Sequence, residues 1–265
     1  MHNLGHTRSV NRRDHLLHTP DTFVRTTMPT IQGGHAVVHI SERGGAAFTQ
    51  YTAELEQEGT LVSNGSQRFI FCLEGSATIV FPVATDETST AGELNSTTMP
   101  NLRIGSYVYL PADSAATLFS LEASRFVVIE KAYEPHPMFQ VPPAVFGHED
   151  NVVAMPLMGD PDLEVRSLLP DSPSFDFAVN TMTYQPGAAL SMVEIHVMEH
   201  GLLMLSGGGI YRLGEAWYPV TAGDFIWMAP YCPQWFGAIG KEPAKYLIYK
   251  DFNRHPGNLG RTGEP

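Results

Sequence analysis

The chain has 265 residues and a formal net charge of −12, and hydrophobic residues make up 43% of it. That length allows one large or two ordinary domains with a substantial core, and the negative charge argues against nucleic acid and anionic membranes as partners. No apolar run is long enough to cross a membrane, residues 1–22 lack the pattern of a secretory leader, and the two cysteines imply no disulfide framework. We therefore expect a cytoplasmic protein.

Segments rich in β-branched and aromatic residues dominate the chain, and helical periodicity is hard to find. The 24 glycines and 20 prolines suit many short strands joined by turns. The sequence therefore predicts an all-β fold. In chain order, the predicted strands are Ala36–Ile40, Phe69–Leu73, Ala77–Phe81, Phe126–Ile129, Gly209–Leu213 and Tyr246–Tyr249.

An internal repeat divides the chain into two modules. Gly105–Ala112 matches Gly223–Pro230, and Arg125–Lys131 matches Lys245–Asp251. We therefore expect two tandem β-barrel modules in one chain. The predicted boundaries are an N-terminal arm over residues 1–32, a first barrel over 33–148, a connector over 149–172 and a second barrel over 173–265.

Three potential metal ligands, Glu194, His196 and His200, lie close together in the second module. The β-branched residues between them predict a strand, and side chains of equal parity on a strand share one face. Three polar groups in a row on a buried face are costly without a common partner, so the sequence predicts a divalent metal. One alternative stays open, because His196–His200 also fits the H-x-x-E-H zinc-peptidase pattern, which lies on a helix.

The segment Gly187–Gly207 resembles the first motif of the cupin superfamily of β-barrels. Glu194 stands where a cupin has its first histidine, and His200 stands where it has its glutamate. Counting from Gly223 through the second cupin motif places Gln234 at the fourth ligand position. The resemblance therefore predicts a bicupin (jelly-roll) fold with the metal site in the second barrel. The repeat maps the four ligands onto residues of the first barrel that together make no metal site: Val62, Asn64, Arg68 and Ala116.

The predicted donors are one carboxylate, two imidazoles and one amide oxygen, with no sulfur. Such a set suits manganese or iron, and zinc is an alternative. Four protein ligands leave coordination positions open on an octahedral ion, as a catalytic site requires. We therefore expect a catalytic metal rather than a structural one.

The second half resembles the ureidoglycine aminohydrolase family of bicupins. The resemblance is strong over Leu163–Pro256 and looser in the first module. The permuted ligand set, together with Tyr246 and Lys250, is more specific than the general cupin pattern. The stretches that carry it are Phe175–Phe177, Tyr184–Gly187, Glu194–Gly201, Leu205–Tyr211, Gly223–Met228 and Tyr246–Lys250.

The resemblance implies a manganese-dependent hydrolase that converts (S)-2-ureidoglycine and water to (S)-ureidoglycolate and ammonia, a step of allantoin degradation in purine catabolism. It also implies a homo-oligomer with a small ureido compound as substrate. The implied metal ligands are Glu194, His196, His200 and Gln234. The implied substrate-binding residues are Glu194, Tyr211, Gln234, Tyr246 and Lys250, and the candidate catalytic residues are Glu194 and Lys250.

Three other classes of function fit the same residues. A non-haem iron dioxygenase could use the Glu/His/His triad, although a fourth protein ligand weakens that interpretation. A different cupin isomerase or lyase is also open, since the substrate rests on the resemblance. A non-enzymatic cupin that binds a small molecule is the third, but it has no need of an open metal beside a lysine.

Overall fold

The computed structural model of the chain describes residues 6–82, 96–98 and 101–255. Within these ranges it contains no α-helix, and no helix long and apolar enough to span a membrane. Three short 3-10 turns lie at Pro20–Thr22, Glu42–Gly44 and Glu149–Asn151. The all-β prediction is therefore confirmed. The strands are β1 (Val10–Asn11), β2 (His15–His18), β3 (Arg25–Thr26), β4 (Ile31–Ile40), β5 (Thr49–Leu61), β6 (Gln67–Glu74), β7 (Ser76–Pro82), β8 (Ser96–Thr98), β9 (Leu102–Arg103), β10 (Ser106–Leu110), β11 (Thr117–Ser120), β12 (Ser124–Lys131), β13 (Val145–His148), β14 (Met155–Leu157), β15 (Asp160–Ser167), β16 (Ala178–Tyr184), β17 (His200–Ser206), β18 (Gly208–Leu213), β19 (Ala216–Thr221), β20 (Phe225–Met228), β21 (Gln234–Ala238) and β22 (Ala244–Lys250).

The first barrel is built from an eleven-stranded sheet in the order β13-β10-β6-β12-β5-β11-β7-β8. Strand β4 pairs with β3 and β5, and β9 pairs with β7. Strand β12 shows why this sequence forms a barrel wall, because its side chains alternate between two apolar environments. Phe126 and Val128 face the barrel core, whereas Val127 and Ile129 face the second barrel.

The second barrel combines an eight-stranded sheet, ordered β1-β2-β20-β17-β22-β16-β15-β14, with a three-stranded sheet, ordered β19-β18-β21. The two sheets enclose one apolar core. In β22, Tyr246 and Ile248 point into this core, while Leu247 and Tyr249 point to the outer side. The same alternation places Lys250 on the inner face, at the end of the strand.

The two barrels pack against each other through a shared apolar interface. The rings of Phe48 and Tyr249 stack there with centroids 4.0 Å apart. A buried ion pair crosses the same interface, with 2.8 Å between Lys131 Nζ and Asp176 Oδ2. The first barrel therefore supports the outer side of the sheet that carries Lys250.

Two segments outside the predicted barrel boundaries contribute strands to the second barrel. Strand β2, from the N-terminal arm, pairs with β20. Strands β14 and β15, from the predicted connector, extend the sheet beyond β16. The arm and the connector are thus parts of the wall around the second core.

Candidate metal and substrate site

A cavity of about 190 Å³ opens inside the second barrel, and every predicted site residue lines it. The structure therefore brings together, in one place, side chains that come from a loop and four different strands. The predicted residues that line the cavity are Glu194, His196, His200, Tyr211, Gln234, Tyr246 and Lys250. The remaining wall is apolar and consists of Leu157, Met158, Met182, Leu190, Met198 and Ile248.

The backbone around the ligands differs from the predicted continuous strand. Residues 191–199 are irregular, with Glu194 in an isolated β-bridge to Gln234 and His200 as the first residue of β17. The prediction that one strand face presents all three ligands is therefore wrong. The zinc-peptidase alternative fails as well, because His196–His200 is not helical.

Pairing with the start of β21 holds the ligand loop in place. The amide of Glu194 donates to the carbonyl of Gln234 at 2.8 Å, and the amide of Gln234 donates back at 2.9 Å. One turn away, the amide of Tyr231 donates to the carbonyl of His196 at 2.6 Å. The reciprocal bonds fix the spacing of the carboxylate and amide side chains, so a bridge rather than a strand face positions them.

The two histidines adjoin the carboxylate. His196 Nε2 lies 3.1 Å from Glu194 Oε2, and the His196 and His200 rings meet edge to face with centroids 5.4 Å apart. His200 is only 3% exposed. Burial, with smaller contributions from Lys250 and His196, lowers the pKa of His200 to about 3. Its imidazole is therefore neutral near pH 7, the form that binds a metal.

The environment of His200 supports a metal at this position. Its Nδ1 is buried and makes no hydrogen bond of regular geometry within residues 6–82, 96–98 and 101–255, although weak contacts with the backbone of Tyr249 and Glu199 slightly raise its pKa. A buried polar atom without a partner is costly, and a cation shared with the neighbouring carboxylate removes that cost. The chemistry of these donors therefore suits a divalent ion, although in the described residues the donor atoms of Glu194, His196 and His200 do not all lie within 4.8 Å of one another.

Buried phenols form the floor of the cavity. Tyr211 donates to Gln234 Oε1 at 3.5 Å, and the hydroxyls of Tyr184 and Tyr246 lie 2.8 Å apart. Burial raises the pKa of Tyr211 and of Tyr246 well above the ordinary value. These phenols therefore stay protonated and can donate hydrogen bonds into the cavity.

Lys250 is the cation of the site. It is half-buried, and no carboxylate in the described part of the chain lies within ion-pair distance of its ammonium. Burial lowers the pKa of Lys250, and the charge of Glu194 opposes that shift. An unpaired ammonium at the cavity wall is suited to an anionic ligand such as a carboxylate.

Comparison with known proteins identifies the family. A family model described as a cupin domain matches residues 180–249. A probable (S)-ureidoglycine aminohydrolase of Oryza sativa subsp. japonica is 40% identical over 95% of this chain and 77% of its own length. The (S)-ureidoglycine aminohydrolase of Arabidopsis thaliana is 39% identical over 95% of this chain and 80% of its own. The chain belongs to the (S)-ureidoglycine aminohydrolase family.

The fold comparison agrees with this assignment. The crystal structure of the Escherichia coli protein Ylba superposes with a TM-score of 0.77 at 26% identity, covering 96% of this chain and 97% of that one. The aligned region includes both barrels. The curated relatives, at 39–40% identity over 95% of this chain, confirm the expected resemblance to the ureidoglycine aminohydrolase family.

In the first barrel, an ion pair occupies the position that corresponds to His200 and Lys250 of the second barrel. Arg68 pairs with Glu130 across β6 and β12, in the same register as His200 and Lys250 across β17 and β22. Arg68 Nη2 lies 2.6 Å from Glu130 Oε1, and both side chains are buried. The register supports the repeat alignment that maps His200 onto Arg68.

Two more side chains complete this closed group. Tyr51 donates to one oxygen of Glu130 at 2.8 Å, and Asn64 donates to the other at 2.9 Å. Arg68 also donates to the carbonyl of Val62 at 3.1 Å. The charges of Arg68 and Glu130 therefore neutralise each other at the centre of the first barrel, although Nε and Nη2 of Arg68 make no hydrogen bond of regular geometry with the described residues.

A separate group of potential ligands joins the arm to the second barrel. Asp14, His15 and Cys232 place their donor atoms within 4.8 Å of one another. Both nitrogens of His15 are already engaged, one with Asp14 and one with the hydroxyl of Tyr218, each at 2.9 Å. Burial raises the pKa of the Cys232 thiol to about 11. We assign this group a structural role.

Sequence reasoning missed the apolar wall of the site. Leu157 and Met158 come from the predicted connector, for which no functional role was predicted, and no motif marked Leu190 or Met198. Met182 could have been predicted, because it lies two residues before Tyr184 on the same strand and therefore faces the same core.

Proposed function

We propose that this protein hydrolyses (S)-2-ureidoglycine to (S)-ureidoglycolate and ammonia. In this reaction a carbon–nitrogen bond breaks, an oxygen from water takes the place of the amine, and the departing nitrogen gains a proton. The observation that carries the proposal is one cavity lined by all seven predicted residues, in a chain that belongs to the ureidoglycine aminohydrolase family. The reaction places the enzyme in allantoin degradation, a part of purine catabolism.

We propose Glu194, His196, His200 and Gln234 as ligands of a divalent metal. Their hard and borderline donors favour Mn²⁺, with Fe²⁺ and Zn²⁺ as alternatives. The neutral imidazole of His200 and its buried Nδ1, which makes no hydrogen bond of regular geometry within the described residues, support this assignment. A bound metal would act as a Lewis acid toward the substrate or water.

The other residues bind the substrate and control protons. Lys250 pairs with the substrate carboxylate, and the phenols of Tyr211 and Tyr246 can donate to the substrate by turning their single protons away from Gln234 and Tyr184. Glu194 and Lys250 are the candidates for proton transfer to the departing amine, since both line the cavity. The apolar side chains that line the rest of the cavity should restrict the face from which water attacks, so we expect a single stereochemical outcome.

The deciding experiment is an ammonia assay on purified protein with (S)-2-ureidoglycine. We expect activity to disappear after treatment with a chelator and to return on adding Mn²⁺, and we expect Glu194→Ala to be inactive. Glu164→Ala, a substitution at the surface, serves as the matched control and should keep full activity. Metal-independent ammonia release, or full activity of Glu194→Ala, would contradict the assigned roles.

The alternatives predict different measurements. A non-haem iron dioxygenase would consume oxygen and require iron, so an oxygen electrode separates it from a hydrolase. A non-enzymatic binding protein would bind the ureido compound without releasing ammonia. The homo-oligomeric state and the cytoplasmic location remain predictions, to be tested by light scattering and by cell fractionation.

A further inference from the structure

A second cavity, of about 210 Å³, adjoins the first at Lys250, which lines both. Its wall also includes Ser167, Asp171 and Asn180. The second cavity is more polar than the apolar wall around the metal ligands, so it suits a different part of a ligand. The side chain of Lys250 therefore borders both cavities.

Asn180 occupies the inner face of the barrel beside Lys250. It pairs across the sheet with Ile248, two residues before Lys250 on β22. Its neighbour Val179 faces the interface between the barrels, and Thr181 donates to the buried Glu149 on the outer side. Alternation along β16 therefore points Asn180 inward, within reach of a ligand held at Lys250.

The side-chain nitrogen of Asn180 makes a hydrogen bond, whereas its side-chain oxygen makes none with the described residues. Asn180 is 8% exposed, and its Nδ2 donates to the hydroxyl of Ser167 at 3.0 Å. In the orientation that this hydrogen bond assigns, Oδ1 accepts no hydrogen bond from the residues that the structure describes. An accessible acceptor at the wall of a cavity is suited to an N–H group of a ligand.

We propose that Asn180 binds the ureido group of the substrate through Oδ1. The proposal rests on the proposed function. The substrate has three polar arms on one carbon: a carboxylate, an amine that leaves and a ureido group. Lys250 takes the carboxylate, and the amine must face the cavity of the metal ligands, where the bond breaks. The ureido group then enters the second cavity, where its terminal NH₂ donates to Asn180.

Two ligands that undergo no reaction test this recognition directly. N-carbamoylglycine carries the carboxylate and the ureido group but no leaving amine, and N-acetylglycine replaces its terminal NH₂ with a methyl group. We expect the Mn²⁺-loaded enzyme to bind N-carbamoylglycine about five- to tenfold more tightly, as one neutral hydrogen bond provides. Asn180→Ala should reduce this preference to about one, as measured by titration calorimetry.

Two further variants separate recognition from general damage. Asn180→Asp keeps an oxygen acceptor, so it should preserve the preference while its charge, near Lys250, alters binding of both ligands equally. Asp171→Asn changes an exposed carboxylate of the same cavity and should leave the preference intact. Melting temperatures confirm that each variant is folded.

The outcomes separate the role of Asn180 in ureido binding from the hydrolase activity. If the wild-type enzyme does not prefer N-carbamoylglycine, or Asn180→Ala keeps the preference, the role of Asn180 is overturned even when ammonia is released from ureidoglycine. If no ammonia is released but the preference depends on Asn180, the hydrolase assignment fails and the ureido site stands.

Discussion

Two lysines of strand β22 allow catalysis to be separated from stability. Lys250 faces the cavity and has no ion-pair partner within the part of the chain that the structure describes, whereas Lys245 faces outward and pairs with the buried carboxylate of Glu149. Lys250→Met should lower kcat/KM by about 10- to 150-fold, since a hydrogen bond to a charged group contributes about 1.5–3 kcal/mol. The same change should maintain or raise the free energy of unfolding, because it removes a desolvated charge.

Lys245→Met should have the opposite effects. It leaves Glu149 buried, with the hydroxyl of Thr181 as its remaining donor at 2.8 Å. Loss of the partner should lower the free energy of unfolding by about 1–3 kcal/mol, while kcat/KM changes less than twofold. Urea unfolding and the ammonia assay measure both quantities for each variant. If Lys250→Met lost stability and kept activity, or the two variants behaved alike, the assignment of the two lysines would be refuted.

The remaining predictions concern the metal, the first barrel and pH. His200→Ala should bind less than one tenth of the Mn²⁺ that the wild-type chain binds, as measured by elemental analysis after gel filtration, since it removes one of the proposed metal ligands. Arg68→Met should lower the free energy of unfolding by about 3–5 kcal/mol and retain ammonia release, and adding Glu130→Leu should restore part of the loss. Burial lowers the pKa of His39 to about 3, below its value of 6.5 in the unfolded chain. Because the unfolded chain therefore binds this proton first, the free energy of unfolding should fall as the pH drops below 6.5. In His39→Gln, the decrease in the free energy of unfolding should be smaller by up to about 1.4 kcal/mol per pH unit. His35→Gln changes an exposed position and should leave this slope unchanged. Equal slopes in both variants would contradict the role of burial.

Local patterns were sufficient to predict the barrel walls. The predicted strands Phe69–Leu73 and Phe126–Ile129 lie inside β6 and β12, because every second residue is apolar toward one core and the others face a second apolar surface. Local patterns could not predict that β2 joins the second barrel. That pairing connects His15–His18 with Phe225–Met228, and neither segment contains the information about its distant partner.

The predicted ligands converge on one cavity, but for a different physical reason from the one inferred. Equal parity along a strand did not bring Glu194 and His200 together, since the chain between them is irregular. The bridge between Glu194 and Gln234 did so, and a turn with Tyr231 in the left-handed region (φ 65°) precedes it. A sequence motif gives the spacing of the ligands along the chain, but it does not reveal the backbone bridge that brings them together.

The two barrels differ most at one cross-strand position. In the first, a cation and an anion face each other, so Arg68 and Glu130 neutralise their charges and need no ligand. In the second, His200 and Lys250 cannot neutralise each other, because a like charge on Lys250 disfavours protonation of the imidazole. With His200 neutral, the ammonium of Lys250 is the remaining charge of this pair and attracts anionic groups, and Glu194 provides one of them. A substrate carboxylate provides another, so the register that closes the first barrel prepares the second to bind an anion.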